Sequence, residues 1–249
     1  MRNKWYWTFK HILMGPFVRL WNRPTIEGAD RVPAEGPGLI VSSHQAVMDS
    51  LFFPLVMPRQ LRFPAKKEYF EGVGFAGKLQ KFFFSSVGQV PLDRDAAGAA
   101  NAMRAAAEQV SSEGVLFGIY PEGTRSPDGR IYRGHTGMAR VALHNPEVPV
   151  IPVAMIGTRR ANPIGSWLLR PVKVHMVVGE PIDVAAWIEE HDADPDSREA
   201  ARAFTDEVMA ELSRLSGYDY VDVYASEVKD SLARGDGYPE GAEPGRQAG

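Results

Sequence analysis

Cysteine is absent from this chain of 249 residues, which excludes disulfides, thiolate nucleophiles and cysteine-ligated zinc. A reducing cytosol suits such a chain, although the absence alone decides no compartment. An excess of either charge is also lacking. Lys and Arg number 28 against 31 Asp and Glu, a net of -3 that argues against a wholesale nucleic-acid binder. No G-x-S-x-G occurs, and none of the six histidines lies in H-E-x-x-H, so a serine-elbow lipase and a zincin are both disfavoured. What remains is ordinary globular composition, 44% hydrophobic, in a chain long enough to bury a core without staples.

The first 23 residues stand apart. They hold Arg2, Lys4, Lys10, Arg19 and Arg23, with no acid before Glu27, among Trp5, Tyr6, Trp7, Phe9, Phe17 and Trp21. Lys10, His11 and Arg19 interrupt the apolar residues well short of the roughly 20 that a spanning helix needs. The same interruptions, with no small-residue cleavage site, argue against a cleavable signal peptide. Basic residues interleaved with Trp and Tyr suit a segment lying on anionic lipid with its rings at headgroup depth. Gly15-Pro16 is expected to break it into two short helices. The alternative is a helix docked on the domain, its aromatics part of the core.

From Gly38 onward, short apolar runs alternate with helical patterns. Strands are expected over 38–43, 87–92, 115–120, 148–156 and 172–178, and helices over 45–57, with Pro54 shaping its end, and 96–112. Such alternation points to a mostly parallel sheet covered on both faces. A later helix opens at Asp194-Pro195, carries Ala201, Phe204, Val208, Leu212 and Leu215 on one stripe, and stops at Gly217. Three regions result: an amphipathic membrane-associating segment (1–23), an α/β domain (24–225) and a polar, loose tail (226–249).

Chemistry concentrates in three places. Ser42-Ser43-His44-Gln45-Ala46-Val47-Met48-Asp49 sits where a strand gives way to a helix, the usual place for sites in parallel sheets. On one continuous helix, residues five apart point about 140° from each other and do not meet. With His44 in the turn and Asp49 in the first helical turns, the carboxylate folds back onto the imidazole, fixes its tautomer and leaves the other nitrogen basic. In isolation such a pair is a weak signal, and a lone surface histidine with a helix-capping aspartate is the blander reading. Tyr120-Pro121-Glu122-Gly123-Thr124-Arg125-Ser126 follows a strand directly. There Gly123 lets backbone approach a ligand, Thr124 and Ser126 can bind an anion's oxygens, and Arg125 offers a planar fork for phosphate. Glu122 could bond an acceptor hydroxyl or hold Arg125, and the same turn could be purely structural. Gly88-Gln-Val-Pro-Leu-Asp-Arg94 places another arginine at a strand's end, which taken alone reads as a surface ion-pair partner.

One motif reads as a decoy. Gly72-Val-Gly-Phe-Ala-Gly77 is a literal G-x-G-x-x-G, but the residues before it, Lys66 to Glu71, make a poor buried strand, so a flexible loop is expected there. The Phe82-Phe83-Phe84 run that follows suits a core cluster, or the lining of an acyl pocket.

Taken in order, His-x4-Asp, Gly-x5-Arg, Tyr-Pro-Glu-Gly-Thr-Arg-Ser and Val148-Pro-Val-Ile-Pro-Val153 resemble the four blocks of the lysophosphatidic acid and glycerol-3-phosphate acyltransferase family. With flanking strands the resemblance covers roughly residues 24 to 216; Tyr120 stands where the family has Phe more often. It implies an α/β acyltransferase fold with a membrane-dipping N-terminal segment. It implies that His44 and Asp49 are catalytic, that Arg94, Glu122, Gly123 and Arg125 hold a phosphate acceptor, and that the block around Pro152 supports the acyl side. Lys66 or Lys67 lies where many relatives keep a lysine near the site. The implied reaction moves a fatty acyl group from acyl-CoA or acyl-carrier protein to lysophosphatidic acid or a related acceptor, with no cofactor and no metal, at the cytoplasmic face of the cell membrane. Rival readings are another acceptor, a thioesterase that activates water, and an acyl-CoA- or lipid-binding protein without turnover.

Overall fold

The computed structural model describes residues 4–86, 89–92, 114–166 and 168–245. The helix expected over 96–112 lies outside them, as does Arg94. The N-terminal segment breaks at Gly15-Pro16 as its sequence suggests: α1 (Lys4–Thr8) runs through a π-helical turn (Phe9–Leu13) into α2 (Gly15–Asn22), with proline in its first turn. The segment's outward surface is largely apolar: Trp5, Trp7, Ile12, Leu13, Phe17 and Leu20 are all exposed, Leu20 by 82%.

The other side is fastened to the domain, and two of its basic residues turn inward rather than toward lipid. The carbonyls at the end of α3 (Asp49–Val56) have no partners within the helix. Tyr6 donates its hydroxyl to Pro54 O at 3.0 Å, Lys10 its ammonium to Met57 O at 2.5 Å, and Arg19 reaches Leu55 O at 3.3 Å. Burial, then the charge of Arg19, pulls the Lys10 ammonium down to about 8. Val18 is buried, and Asn22 gives both its amide hydrogens to Arg170 O and Val172 O, at 2.7 and 3.0 Å.

The central sheet has six strands among the described residues: β1 (Thr25–Glu27), β2 (Gly38–Ser42), β3 (Leu61–Arg62), β6 (Leu116–Ile119), β8 (Val150–Ile156) and β9 (His175–Val178). Their order is β1-β9-β8-β2-β6-β3, parallel throughout except between β8 and β9. β4 (Pro64–Lys66) and β5 (Val90–Leu92) form a separate parallel ribbon, as do β7 (Ile131–Tyr132) and β10 (Tyr220–Val221).

Alternate residues of the central strands feed two apolar cores. Leu39, Val41, Phe117 and Ile119 face α5 (Gly137–Leu143), α7 (Val184–Glu190) and α8 (Arg198–Ser216). Ile40, Leu116, Ile151 and Met155 face α2, α3 and the short α6 (Thr158–Ala161) on the other side. Both sides being buried is why these strands read as continuous apolar runs instead of an alternating pattern.

Several expectations change. α3 starts at Asp49 and not at residue 45, because residues 45–48 form a turn whose amides bond the Asp49 carboxylate. α8 is capped by Ser197, whose hydroxyl accepts from Ala200 N–H at 3.0 Å; Asp194 builds the turn before it. The supposed decoy loop begins α4 (Gly74–Ser86), which carries the three phenylalanines. The tail is also not loose from residue 226. α9 (Ala225–Arg234) buries Ala225 and Val228 against Tyr132 and Val221, and Arg130 holds the chain beyond it at Ala242 O and Glu243 O. A polar composition concealed this because only one narrow side of α9 is apolar.

Candidate active site

β2 ends at Ser42 in the middle of the sheet, and the chain turns through residues 43–48 before α3 begins. Asp49 stands at the head of α3, fully buried, and collects three donors on one oxygen. Its Oδ2 lies 3.0 Å from His44 Nδ1, 2.7 Å from Gln45 N and 2.8 Å from Ala46 N. One carboxylate thereby shapes the turn and orients the imidazole. With a carboxylate on Nδ1, the proton is held there and the Nε2 lone pair is left for a substrate. The His44 side chain remains 19% exposed, enough for a reactant to reach it.

The Pro-Glu-Gly-Thr-Arg turn is strapped to this loop by two backbone contacts. Glu122 Oε2 accepts from His44 N–H at 2.8 Å, and Ser126 N–H donates to His44 O at 2.8 Å. The other oxygen, Glu122 Oε1, accepts from Tyr132 N–H at 3.0 Å. Glu122 is buried, and this burial pushes its carboxyl up to about 8 against the pull of the two amides. In this arrangement both Glu122 oxygens meet backbone amides, and Glu122 ties β7 to the loop that carries His44. Gly123 sits in the left-handed region (φ +65°), and a Cβ there would also come 3.1 Å from the His135 ring. A turn this tight admits glycine far more readily than any other residue.

Arg125 is half-buried and makes no ion pair or hydrogen bond among the described residues, so its guanidinium is available to an anion. Thr124 Oγ1 accepts from Lys229 Nζ at 2.7 Å, which brings a cation from α9 to the edge of the site. Lys66 ends β4, and Pro152 lies buried in β8, paired with Val41 of β2.

The sequence marked Tyr120 as part of the turn but not its stacking, and it marked neither Phe63 nor Arg159. Tyr120 stacks on the face of His44, ring centroids 4.2 Å apart and planes 15° apart, and Phe63 stacks on the far side of Tyr120 at 5.1 Å and 7°. Arg159 donates to Ser126 O and Pro127 O and so holds the end of the turn. Contacts between residues 57 or 33 apart leave no local spacing to read.

A buried carboxylate, a partly exposed imidazole and an arginine unpaired among the described residues thus gather at the carboxyl ends of parallel strands, the usual place for sites in such sheets. The chain belongs to the acyltransferase family, whose model, described as Acyltransferase, matches residues 23–156. It is similar to the 1-acyl-sn-glycerol-3-phosphate acyltransferase of Bacillus subtilis, 26% identical over 200 residues that cover 80% of this chain and 87% of that protein. It is also similar to the 1-acyl-sn-glycerol-3-phosphate acyltransferase of Limnanthes alba, 26% identical over 181 residues, 72% of this chain and 62% of the plant protein. The chain thus spans about three fifths of the length of that relative. In fold it resembles the crystal structure of the 1-acyl-sn-glycerophosphate acyltransferase PlsC from Thermotoga maritima, with a TM-score of 0.59 and 24% identity, covering 86% of this chain and 83% of the other.

Proposed function

We propose that the chain transfers a fatty acyl group from a thioester, acyl-CoA or acyl-carrier protein, to a hydroxyl of a glycerol phosphate acceptor. The favoured acceptor is 1-acyl-sn-glycerol-3-phosphate, the product phosphatidic acid. The observation that carries this reading is the Asp49–His44 pair at 3.0 Å with Nε2 left open. His44 Nε2 takes the hydroxyl proton as that oxygen attacks the thioester carbonyl. The C–O bond forms, the C–S bond breaks as the tetrahedral intermediate collapses, and the imidazolium returns its proton to the departing thiolate. Asp49 holds the ring and stabilises its positive charge in between. General-base assistance supplies about 100- to 10,000-fold, and positioning of the two substrates supplies the rest. Arg125, with Arg94 and Lys66 as further candidates, holds the acceptor's phosphate. This chemistry needs no metal, no cofactor and no covalent acyl-enzyme.

The names of the relatives support the lysophosphatidic acid acceptor; glycerol 3-phosphate, another lysophospholipid or a glycolipid would use the same chemistry. Among the described residues, no helix is long and apolar enough to cross a membrane. The exposed apolar residues of α1 and α2 support a peripheral or monotopic seat on a membrane, which we place on its cytoplasmic face. Phe82 of α4 extends that surface, packing edge-on against Trp5 with ring centroids 5.0 Å apart. Purified chain, assayed with acyl-CoA and acyl-carrier protein against a panel of acceptors, should esterify lysophosphatidic acid fastest. His44→Ala should abolish transfer while leaving the circular dichroism spectrum intact. A folded His44→Ala chain with near-normal turnover removes the assignment, and equal thioester hydrolysis without acceptor makes the chain a thioesterase.

A further inference from the structure

We infer that Tyr120 and Phe63 are positioning residues that set the plane of the His44 imidazole, a role separate from the Asp49 hydrogen bond. A single hydrogen bond from Nδ1 to Asp49 fixes where one edge of the ring points but leaves the ring free to swing about the bond axis. The second constraint is the stack. Tyr120 lies flat on one face of His44 at 4.2 Å and 15°, close to van der Waals separation for offset rings. The line from Nδ1 to Asp49 and the plane given by Tyr120 together determine the direction of the Nε2 lone pair.

The stack is itself anchored. Phe63 is buried and parallel to Tyr120 within 7°, and the ring of Phe53 lies against Phe63 at 5.9 Å. Phe63 is pinned by its backbone N–H, which donates to the side-chain carbonyl of Gln89 at 2.9 Å. Its ring occupies the space over Gly118 of β6, where a Cβ would stand 2.3 Å from Phe63 Cε1. Only glycine at residue 118 admits the ring so close to the sheet. Gly118, Phe63, Tyr120 and His44 therefore form one continuous column from the sheet to the base. The column acts through His44 on whatever substrate His44 serves, so it deepens the acyl-transfer reading and rests on it only for the reaction being timed.

Tyr120→Leu removes the stack while keeping apolar volume, and Tyr120→Phe keeps it. Loss of ring alignment of this kind costs on the order of 10- to 100-fold in rate. The expected result is a kcat reduced to that extent for Tyr120→Leu, an acceptor KM changed by less than about threefold, and rescue to near wild-type kcat by Tyr120→Phe. The stack has its own signature in nuclear magnetic resonance. The His44 ring protons should be displaced upfield by the Tyr120 ring current in wild type and Tyr120→Phe, and should return in Tyr120→Leu. Phe63→Leu serves as the second variant should Tyr120→Leu fail to fold: it leaves Tyr120 unsupported and should lower kcat in the same sense. A folded Tyr120→Leu or Phe63→Leu chain with unchanged kcat overturns the inference, as does the lack of a ring-current shift on His44 in wild type. If wild type transfers no acyl group to any acceptor, the functional reading falls, and the ring-current measurement still decides the stack.

Discussion

Asp49 and Glu122 are both buried carboxylates, and each accepts from two backbone amides, yet they do different work. Asp49 faces the imidazole. Glu122 bonds main chain, and its two oxygens join parts of the protein that are 78 and 10 residues away along the sequence. Glu122→Gln replaces one acceptor oxygen by an amide donor that meets a backbone N–H, leaving a buried donor unmet at a cost of about 1–3 kcal/mol. The expected outcome is that loss in a denaturant titration. The wild-type carboxyl also imposes a pH dependence with a definite sign. Its folded value is raised from 4.5 to about 8, so the folded state binds the extra proton across that interval. The associated stability is complete below about 4.5 and is lost as pH rises through about 8. Comparing denaturation midpoints at the two ends of that window should show a decline in wild type that Glu122→Gln flattens.

At the scale of elements, α2 and α9 are held by long-range polar contacts as well as by apolar packing. Asn22, at the end of α2, is wholly buried and supplies the two carbonyls ahead of β9 with donors. Asn22→Ala strands both, and we expect a loss of about 1–3 kcal/mol, visible as a lowered denaturation midpoint. Leu20, on the outer side of the same helix, should behave in the opposite way. Leu20→Glu is expected to leave stability within about 0.5 kcal/mol, as surface changes do. It should weaken binding to phospholipid vesicles by about tenfold or more, because insertion of that side chain is worth about 1.5–3 kcal/mol. Sedimentation with vesicles checks this, and unchanged sedimentation would count against a membrane seat on this side.

Across the whole molecule, what the sequence made legible follows from where the stabilising contacts lie. The central strands were readable because both their sides are buried, which forces unbroken apolar residues into β2, β6 and β8. The stripe of α8 was readable because Phe204, Val208 and Leu212 repeat with the helix period. The His44 and Asp49 turn was readable as a geometric requirement, since five residues do not close on a continuous helix. The misread features depend on distant partners. α9 is polar by composition and is held at Tyr132 and Val221, while Arg130 reaches Ala242 across 112 residues. Lys10 and Arg19 resemble lipid-facing charges until α3 supplies the carbonyls they cap. The Phe63–Tyr120–His44 column combines residues from three separate loops and strand ends, and no local pattern announces it.

The inward side of the N-terminal segment bears on how this protein should be handled at the bench. Tyr6, Lys10 and Arg19 cap the helix that begins with Asp49, and Val18 fills a slot in the core behind it. Trimming the first 23 residues to gain solubility would strip those caps and open that slot. Solubility is better improved by substituting the outward residues, Leu20 and Phe17 first, with the segment left in place as the back wall of the helix that carries Asp49.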